Sequence, residues 1–367
     1  MTPNELNFSG GPGALPASVL KQTQRAVECL DETGVSLLGM SHRSDWYQDL
    51  NAQAQSNLRF LLDIPNEYEV LFLQGGGSLQ FAMVAMNFLP GSQSKGQYIV
   101  GGYWSAKAPL AAKGLGEVDV IWDGRSGGYK SLPNTEEIIK KIDAKASYLH
   151  FVSNETVEGL AFDQDSLPEV KTLICDMSSD LLSKPIDVSR YGLIYAHAQK
   201  NLGPAGVTVV IIKKELLEQG NKEIPSILSY AAHAKESSIL NTPPVFSIYV
   251  LKLVTDWLIN EMGDLKQMLA INQAKASCLY DALDGASNFY SVHAHKPYRS
   301  LMNIAFTLKS KSLDQSFLNL AKERGFVGLE GHRSIGGLRA SLYNAVSMKA
   351  CERLAAFMSE FEAKHGS

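Results

Sequence analysis

Short, nearly continuous apolar runs alternate with helical stretches through the first two thirds of the chain, and that alternation leaves few folds open. Candidate strands lie at 69–73, 97–100, 118–122, 148–151, 172–176, 193–196 and 208–212, with helical stretches at 79–88, 106–113 and 135–142. Several of these runs lack polar alternation, as expected for strands covered on both faces. The pattern predicts an α/β fold with a largely parallel, doubly wound sheet. Beyond about residue 260 the texture changes. A helical stretch at 265–283, a strand at 301–308, a helix at 313–324, a strand at 337–342 and a helix at 348–364 predict a smaller α+β unit. A chain of 367 residues suits two such units, at about 150 residues per domain.

Composition removes several function classes. The 34 basic and 38 acidic residues give a net charge of −4, so no broad positive field favours a nucleic acid or an anionic membrane. Any anion must meet a local pocket. The four cysteines (Cys29, Cys175, Cys278, Cys351) form no CxxC pair and read as small buried apolar side chains; no metal site is expected. No stretch approaches a membrane span, and the opening residues lack the basic head and apolar run of a signal peptide. A cytoplasmic location is expected.

Three segments carry chemistry. Gln74-Gly-Gly-Gly-Ser-Leu-Gln80 follows a strand and opens a helix. Its glycines let backbone N–H groups approach an anion, and the helix N-terminus favours a phosphate. A tight strand-to-helix turn explains the segment equally well by itself. It matches neither GxGxxG nor GxxxxGK[ST], which disfavours a nicotinamide dehydrogenase. Lys200 follows an apolar strand and precedes a Gly-Pro-Ala-Gly loop, the sheet edge where α/β proteins bind ligands. A semi-buried lysine there can serve as a Schiff-base nucleophile, although most lysines after strands are simply solvated. Asp176 closes Lys-Thr-Leu-Ile-Cys-Asp, where burial is costly unless the carboxylate meets a cation or donors. An amine, a carboxylate and a phosphate cradle on one crevice suit one ligand, pyridoxal phosphate.

Longer words then become recognisable. Asn-Phe-Ser-Gly-Gly-Pro at 7–12, Ser-His-Arg at 41–43, Asn-Glu-Thr at 154–156 and Pro-Ile-Asp-Val-Ser-Arg-Tyr-Gly at 185–192 resemble the phosphoserine aminotransferase family. So do Ala-Gln-Lys-Asn at 198–201, Asn-Thr-Pro-Pro at 241–244 and Gly-His-Arg at 331–333. The resemblance covers essentially the whole chain and implies the class V group of aminotransferases, with the fold type I architecture. A large domain (16–262) would hold a mostly parallel seven-stranded sheet; 1–15 and 263–367 would form a smaller α+β C-terminal domain. It also implies a homodimer with shared active sites. The implied reaction moves the amino group of L-glutamate onto 3-phosphohydroxypyruvate, giving O-phospho-L-serine and 2-oxoglutarate for serine synthesis. In some bacteria the family also serves vitamin B6 synthesis through phosphohydroxythreonine.

By the same resemblance, Lys200 forms the imine with pyridoxal phosphate and Asp176 pairs with its pyridinium. Trp104 stacks on the ring and Thr156 bonds the ring hydroxyl. Gly77, Ser78 and Gln199 hold the phosphate, joined by Asn241 and Thr242 of the partner subunit. Arg339 resembles the residue that binds the substrate α-carboxylate, through a planar bidentate fork. His42, Arg43, His332 and Arg333 resemble the cluster around the substrate phosphate, the latter two from the partner, and Ser9 joins the substrate site.

Departures are Ser78-Leu79 where some relatives have Arg or Cys followed by Gly, His197 where a small residue is usual, and Asp180 where Thr is common. The extra imidazole and carboxylate could shift imine protonation. Competing readings are another class V enzyme, such as a cysteine desulfurase or an alanine–glyoxylate aminotransferase, and a non-catalytic fold relative. A desulfurase needs a mobile nucleophilic cysteine, a non-phosphorylated substrate does not need the His-Arg pairs, and Lys200 with Asp176 speaks against a non-catalytic protein.

Overall fold

The computed structural model describes residues 3–366 apart from 92 and 164–166; residues 1, 2 and 367 of the expected domain ranges lie outside the described residues. Seven strands build the main sheet: β1 (Tyr68–Leu73), β2 (Lys95–Val100), β3 (Glu117–Asp123), β4 (Tyr148–Val152), then β7 (Leu173–Asp176), β8 (Leu193–His197) and β9 (Thr208–Lys213). Between β4 and β7, β5 (Asn154–Glu155) and β6 (Leu160–Ala161) pair as a small hairpin. The spatial order is β1-β9-β8-β7-β4-β2-β3. All neighbours run parallel except around β9, which is antiparallel to both β1 and β8. The reversal has a simple cause. A parallel crossover needs about a dozen residues or more, and the link 198–207 is too short to supply one.

Both faces of the sheet are covered, which is why its strands read as apolar runs. On one face the helix Gly76–Phe88 buries Phe81, Val84 and Ala85 among Leu71, Tyr98, Tyr195 and Val210. On the other, the helices Asp45–Leu62 and Val245–Asn260 supply Leu50, Ala54, Leu58, Ile248 and Leu251. The first of these starts where the Ser44 side chain accepts the Tyr47 N–H, an N-cap that satisfies one orphan donor of the first turn.

A second sheet, β10 (Tyr290–Val292), β11 (Asn303–Leu308) and β12 (Leu338–Ser341), is wholly antiparallel. The helices Leu265–Gly285, Asp314–Glu323 and Met348–His365 pack on it around Phe317, Phe357 and Phe361. Leu6, Phe8 and Ala14 join this core from the other end of the chain. The Phe8 N–H donates to Val327 O at 2.9 Å, and the Ser341 N–H donates to Phe8 O at 3.0 Å. The same segment continues to the main sheet, where the Gly13 N–H meets Gln199 O at 2.8 Å.

Some expected elements differ in extent. The stretch 106–113 splits into a 3-10 turn, Ser105–Lys107, and a short helix, Ala108–Ala112, with Pro109 in its first turn. The strand expected from 301 begins at Asn303, because the Ser300 hydroxyl takes the N–H groups of Met302 and Asn303 first.

Candidate active site

The carboxyl ends of β1, β4, β7 and β8 face one side of the sheet, and a cavity of about 230 Å³ opens there. Its lining includes Gly77, Ser78, Trp104, Thr156, Asp176, Gln199 and Lys200. Asp176 closes β7, and the others follow strand ends on nearby turns. β1 delivers the glycine turn, in which Gly75 (φ 90°) and Gly76 (φ 67°) adopt left-handed backbone, a region that costs other residues free energy. The helix Gly76–Phe88 begins there, so its unpaired N–H groups and positive end border the cavity.

Lys200 is buried, and its Nζ donates to Thr156 Oγ1 at 2.6 Å and to Ser179 Oγ at 2.9 Å. Nζ also lies 6.0 Å from the centre of the Trp104 ring. Burial lowers the amine to about 8, against the opposing pull of Asp176. Asp176, the last residue of β7, accepts the Ser178 N–H at Oδ1 (2.8 Å). Burial raises its carboxyl, with Ser178 and Lys200 opposing. Its Oδ2 faces Gly77, where a Cβ would stand 3.6 Å away. A desolvated amine and a desolvated carboxylate thus share one cavity, each already held by hydroxyl or amide groups.

Arg339, on β12, reaches the same region from the smaller sheet. Its Nη1 donates to Thr156 O at 3.4 Å, its Nε has no partner, and burial lowers its guanidinium. Gly10 packs so closely on it that a Cβ there would overlap the guanidinium. Ser9 stands beside Gly10, against Gly328. His332 lies against Tyr103 of its own chain, ring centres 4.6 Å apart, and the charges of Arg339, Arg333 and Lys107 add to burial in lowering its imidazole. Arg333 is exposed.

Eight expected residues do not line the cavity: Ser9, His332, Arg333 and Arg339, placed above, and His42, Arg43, Asn241 and Thr242. His42 and Arg43 precede the helix Asp45–Leu62, with Arg43 exposed. Asn241 and Thr242 flank Gln74, whose side chain accepts from Asn241 Nδ2 at 2.7 Å and donates to Thr242 O at 3.2 Å. Conversely, Asn154, Ser178, Ser179 and Phe81 line the cavity without having been assigned to it, and so does His197, the extra imidazole expected near the imine. The serines had a signal, since they stand two and three positions after Asp176 at the same sheet edge. His197 bonds Thr208 Oγ1 through Nδ1 at 3.1 Å, and burial lowers its imidazole, helped by the Lys200 charge. Asp180 does not line the cavity; it is buried and accepts a hydrogen bond from Ser153.

The Aminotransferase class-V family profile matches residues 6–354. The chain belongs to the class-V aminotransferases. It is 46% identical to the phosphoserine aminotransferase of Alkalihalobacillus alcalophilus over 99% of each chain. To that of Shouchella clausii it is 48% identical, over 98% of this chain and 97% of the relative. Among solved class-V structures, the phosphoserine aminotransferase from Bacillus circulans subsp. alkalophilus superposes with a TM-score of 0.94 at 44% identity, covering 98% of this chain and 99% of that one. An alanine–glyoxylate aminotransferase from Nostoc sp. shares the fold at 19% identity and a TM-score of 0.78. The three relatives above, at 44–48% identity, are phosphoserine aminotransferases.

Proposed function

We propose that this chain is a phosphoserine aminotransferase, moving the amino group between L-glutamate and 3-phosphohydroxypyruvate with pyridoxal phosphate as cofactor. The observation that carries the reading is the pairing of Lys200 and Asp176 on one cavity bordered by a helix N-terminus. The donor set fits the cofactor: a reactive amine for its carbonyl, a buried carboxylate for its ring nitrogen, Thr156 for its hydroxyl, and the Trp104 face for its ring. Gly77, Ser78 and Gln199 would hold its phosphate, joined by Asn241 and Thr242 of the partner subunit. When bound, the cofactor supplies an electron sink for charge developing at the substrate α-carbon.

The chain's own residues do the rest. Lys200 Nζ would take and return the substrate α-proton; an amine titrating near 8 suits that task near neutral pH. Asp176, in its ionised form, would hold a proton at the cofactor's ring nitrogen. Arg339 fixes the α-carboxylate beside Ser9, and His42, Arg43, His332 and Arg333 take the distal phosphate or carboxylate. Nothing in this scheme needs a metal, and the described residues hold no cluster of three or more His, Cys, Asp or Glu suited to one. No helix of the described residues is long and apolar enough to cross a membrane; a cytoplasmic homodimer is part of the same proposal. The two-domain division at 16–262 and at 1–15 with 263–367 belongs to the same reading.

The test is amino transfer from glutamate to 3-phosphohydroxypyruvate and, in parallel, to its dephosphorylated analogue. The expected result is a clear preference for the phosphorylated acid; equal turnover of both would point to a different class-V substrate.

A further inference from the structure

Between the cofactor wall and Arg339 lie two buried carboxyl groups that the proposed function does not use. Glu155 accepts the N–H groups of Trp104 (Oε2, 3.0 Å) and Ser105 (Oε1, 2.9 Å). Glu158 accepts the Tyr103 N–H at Oε1, 3.0 Å. Two side chains of the β5–β6 hairpin therefore hold three successive amides of the turn that carries Trp104. The fit is tight, for a Cβ on Gly102 would overlap Glu158 Oε2 and stand 2.8 Å from two atoms of Glu155. Both Glu155 oxygens are used, whereas Glu158 Oε2 is buried without a partner, as is Arg339 Nε.

We propose that Glu158 is a positioning residue linking the two halves of the site: Oε1 anchors the Trp104 turn, and the buried, unpartnered Oε2 governs how freely Arg339 takes a substrate carboxylate. The inference rests on the proposed placement of that carboxylate at Arg339. Two carboxylates this close and this buried do not both ionise cheaply. Glu155, with two amide donors, is the better seat for the charge. Burial and the Glu155 charge push Glu158 up to about 9, while the Tyr103 amide and Arg339 on β12 pull the other way. Burial raises Glu155 as well, against its donors at Ser105 and Trp104, with Asp176 on β7 adding to the rise and the Lys200 charge opposing it. Near neutral pH Glu158 is therefore an acid. As pH rises through its titration it becomes an anion beside Arg339 and competes with any incoming carboxylate.

Glutarate tests this, because it presents two carboxylates and neither an amine nor a ketone. Its binding to the cofactor-loaded enzyme would be followed by calorimetry between pH 7.5 and 10. In the wild type, Kd should weaken by about fivefold or more across that range, the size of a modest coupling between sites. Glu158→Gln, which mimics the neutral acid, should bind glutarate like the wild type at pH 7.5 and lose that excess pH dependence. Glu158→Ala should loosen the turn, changing the near-ultraviolet circular dichroism of Trp104 and weakening cofactor retention, with Glu158→Gln restoring both. Identical pH profiles in wild type and Glu158→Gln would overturn the proposal, as would a Glu158→Gln protein already weakened at pH 7.5. Unchanged glutarate binding in Arg339→Ala would overturn the carboxylate assignment itself, and the proposal with it.

Discussion

The wall around Lys200 and the cluster of His-Arg pairs make opposite use of the same fold. Around Lys200 the groups that hold the reactive pair are buried and bonded: Thr156 and Ser179 hold the amine, and Ser178 holds Asp176. The His-Arg pairs sit on loops, with Arg43 and Arg333 exposed. Under the proposed function, the contrast teaches that the reactive centre is preorganised by one chain's core, whereas recognition of the distal anion falls to loop residues that include two exposed arginines. Preorganised groups act on the transition state; exposed arginines act mainly on which substrate stays bound.

Breaking the buried side should cost most. Lys200→Ala should lower transamination by roughly 10³-fold or more, within the range for losing a positioned proton carrier. The protein should be colourless, and borohydride should fix no cofactor to the peptide that contains residue 200; a label on another lysine would move the centre elsewhere. Asp176→Asn should retain cofactor yet lose about 10²-fold or more in turnover, since an amide cannot keep the ring nitrogen protonated. Near wild-type turnover there would remove Asp176 from the chemistry.

The pH dependence sharpens the buried side further. Only the neutral amine attacks a carbonyl, and Lys200 titrates near 8 instead of at its ordinary 10.5. The rate at which cofactor-free protein gains colour with added pyridoxal phosphate should therefore climb with pH, by about tenfold per unit well below the pKa, and level off above 8. A climb continuing to pH 10 would show an unperturbed lysine.

The exposed side should respond by substrate and not across the board. Removing one charged partner of a desolvated anion typically costs about 2–5 kcal/mol. Arg333→Ala should thus lower kcat/KM for 3-phosphohydroxypyruvate by roughly 30-fold or more, with the dephosphorylated analogue barely affected, whereas Arg339→Ala should harm both. Mixing inactive Arg333→Ala and Lys200→Ala subunits should recover activity if the cluster crosses a dimer interface. The smallest effect belongs to His197→Gly. A neutral imidazole already bonded to Thr208 should change cofactor affinity by less than about tenfold, or ~1.4 kcal/mol, in a spectrophotometric titration.

Legibility in the sequence follows the same divide. The sheet and the Lys200–Asp176 pair were readable because each strand, and the residue that closes it, is a local word. The antiparallel course of β9 was not read, although the short link 198–207 encodes it. Ser179 and the Glu155–Glu158 clamp escaped because hydroxyls and carboxylates are common on surfaces; only tertiary contact with Lys200 or with the amides of 103–105 reveals them. For Arg339, family words identified a residue whose approach to Thr156 spans 183 positions, a distance no periodicity conveys.

The segment 7–13 carries one more consequence, for the order in which the site can be made. Phe8 and Gly10 emerge early in synthesis, yet their partners are Val327, Ser341 and Tyr343, the Tyr343 hydroxyl donating to Gly10 O at 2.8 Å across 333 positions. Contacts of such separation form slowly, because a long loop must close before any is rewarded. A nascent chain thus exposes Lys200 long before Arg339 exists, and residues 7–13 must wait unpaired through most of translation. The main sheet can assemble first as a unit, but a binding site for an amino acid is finished only when the last strand, β12, docks against the first words of the chain.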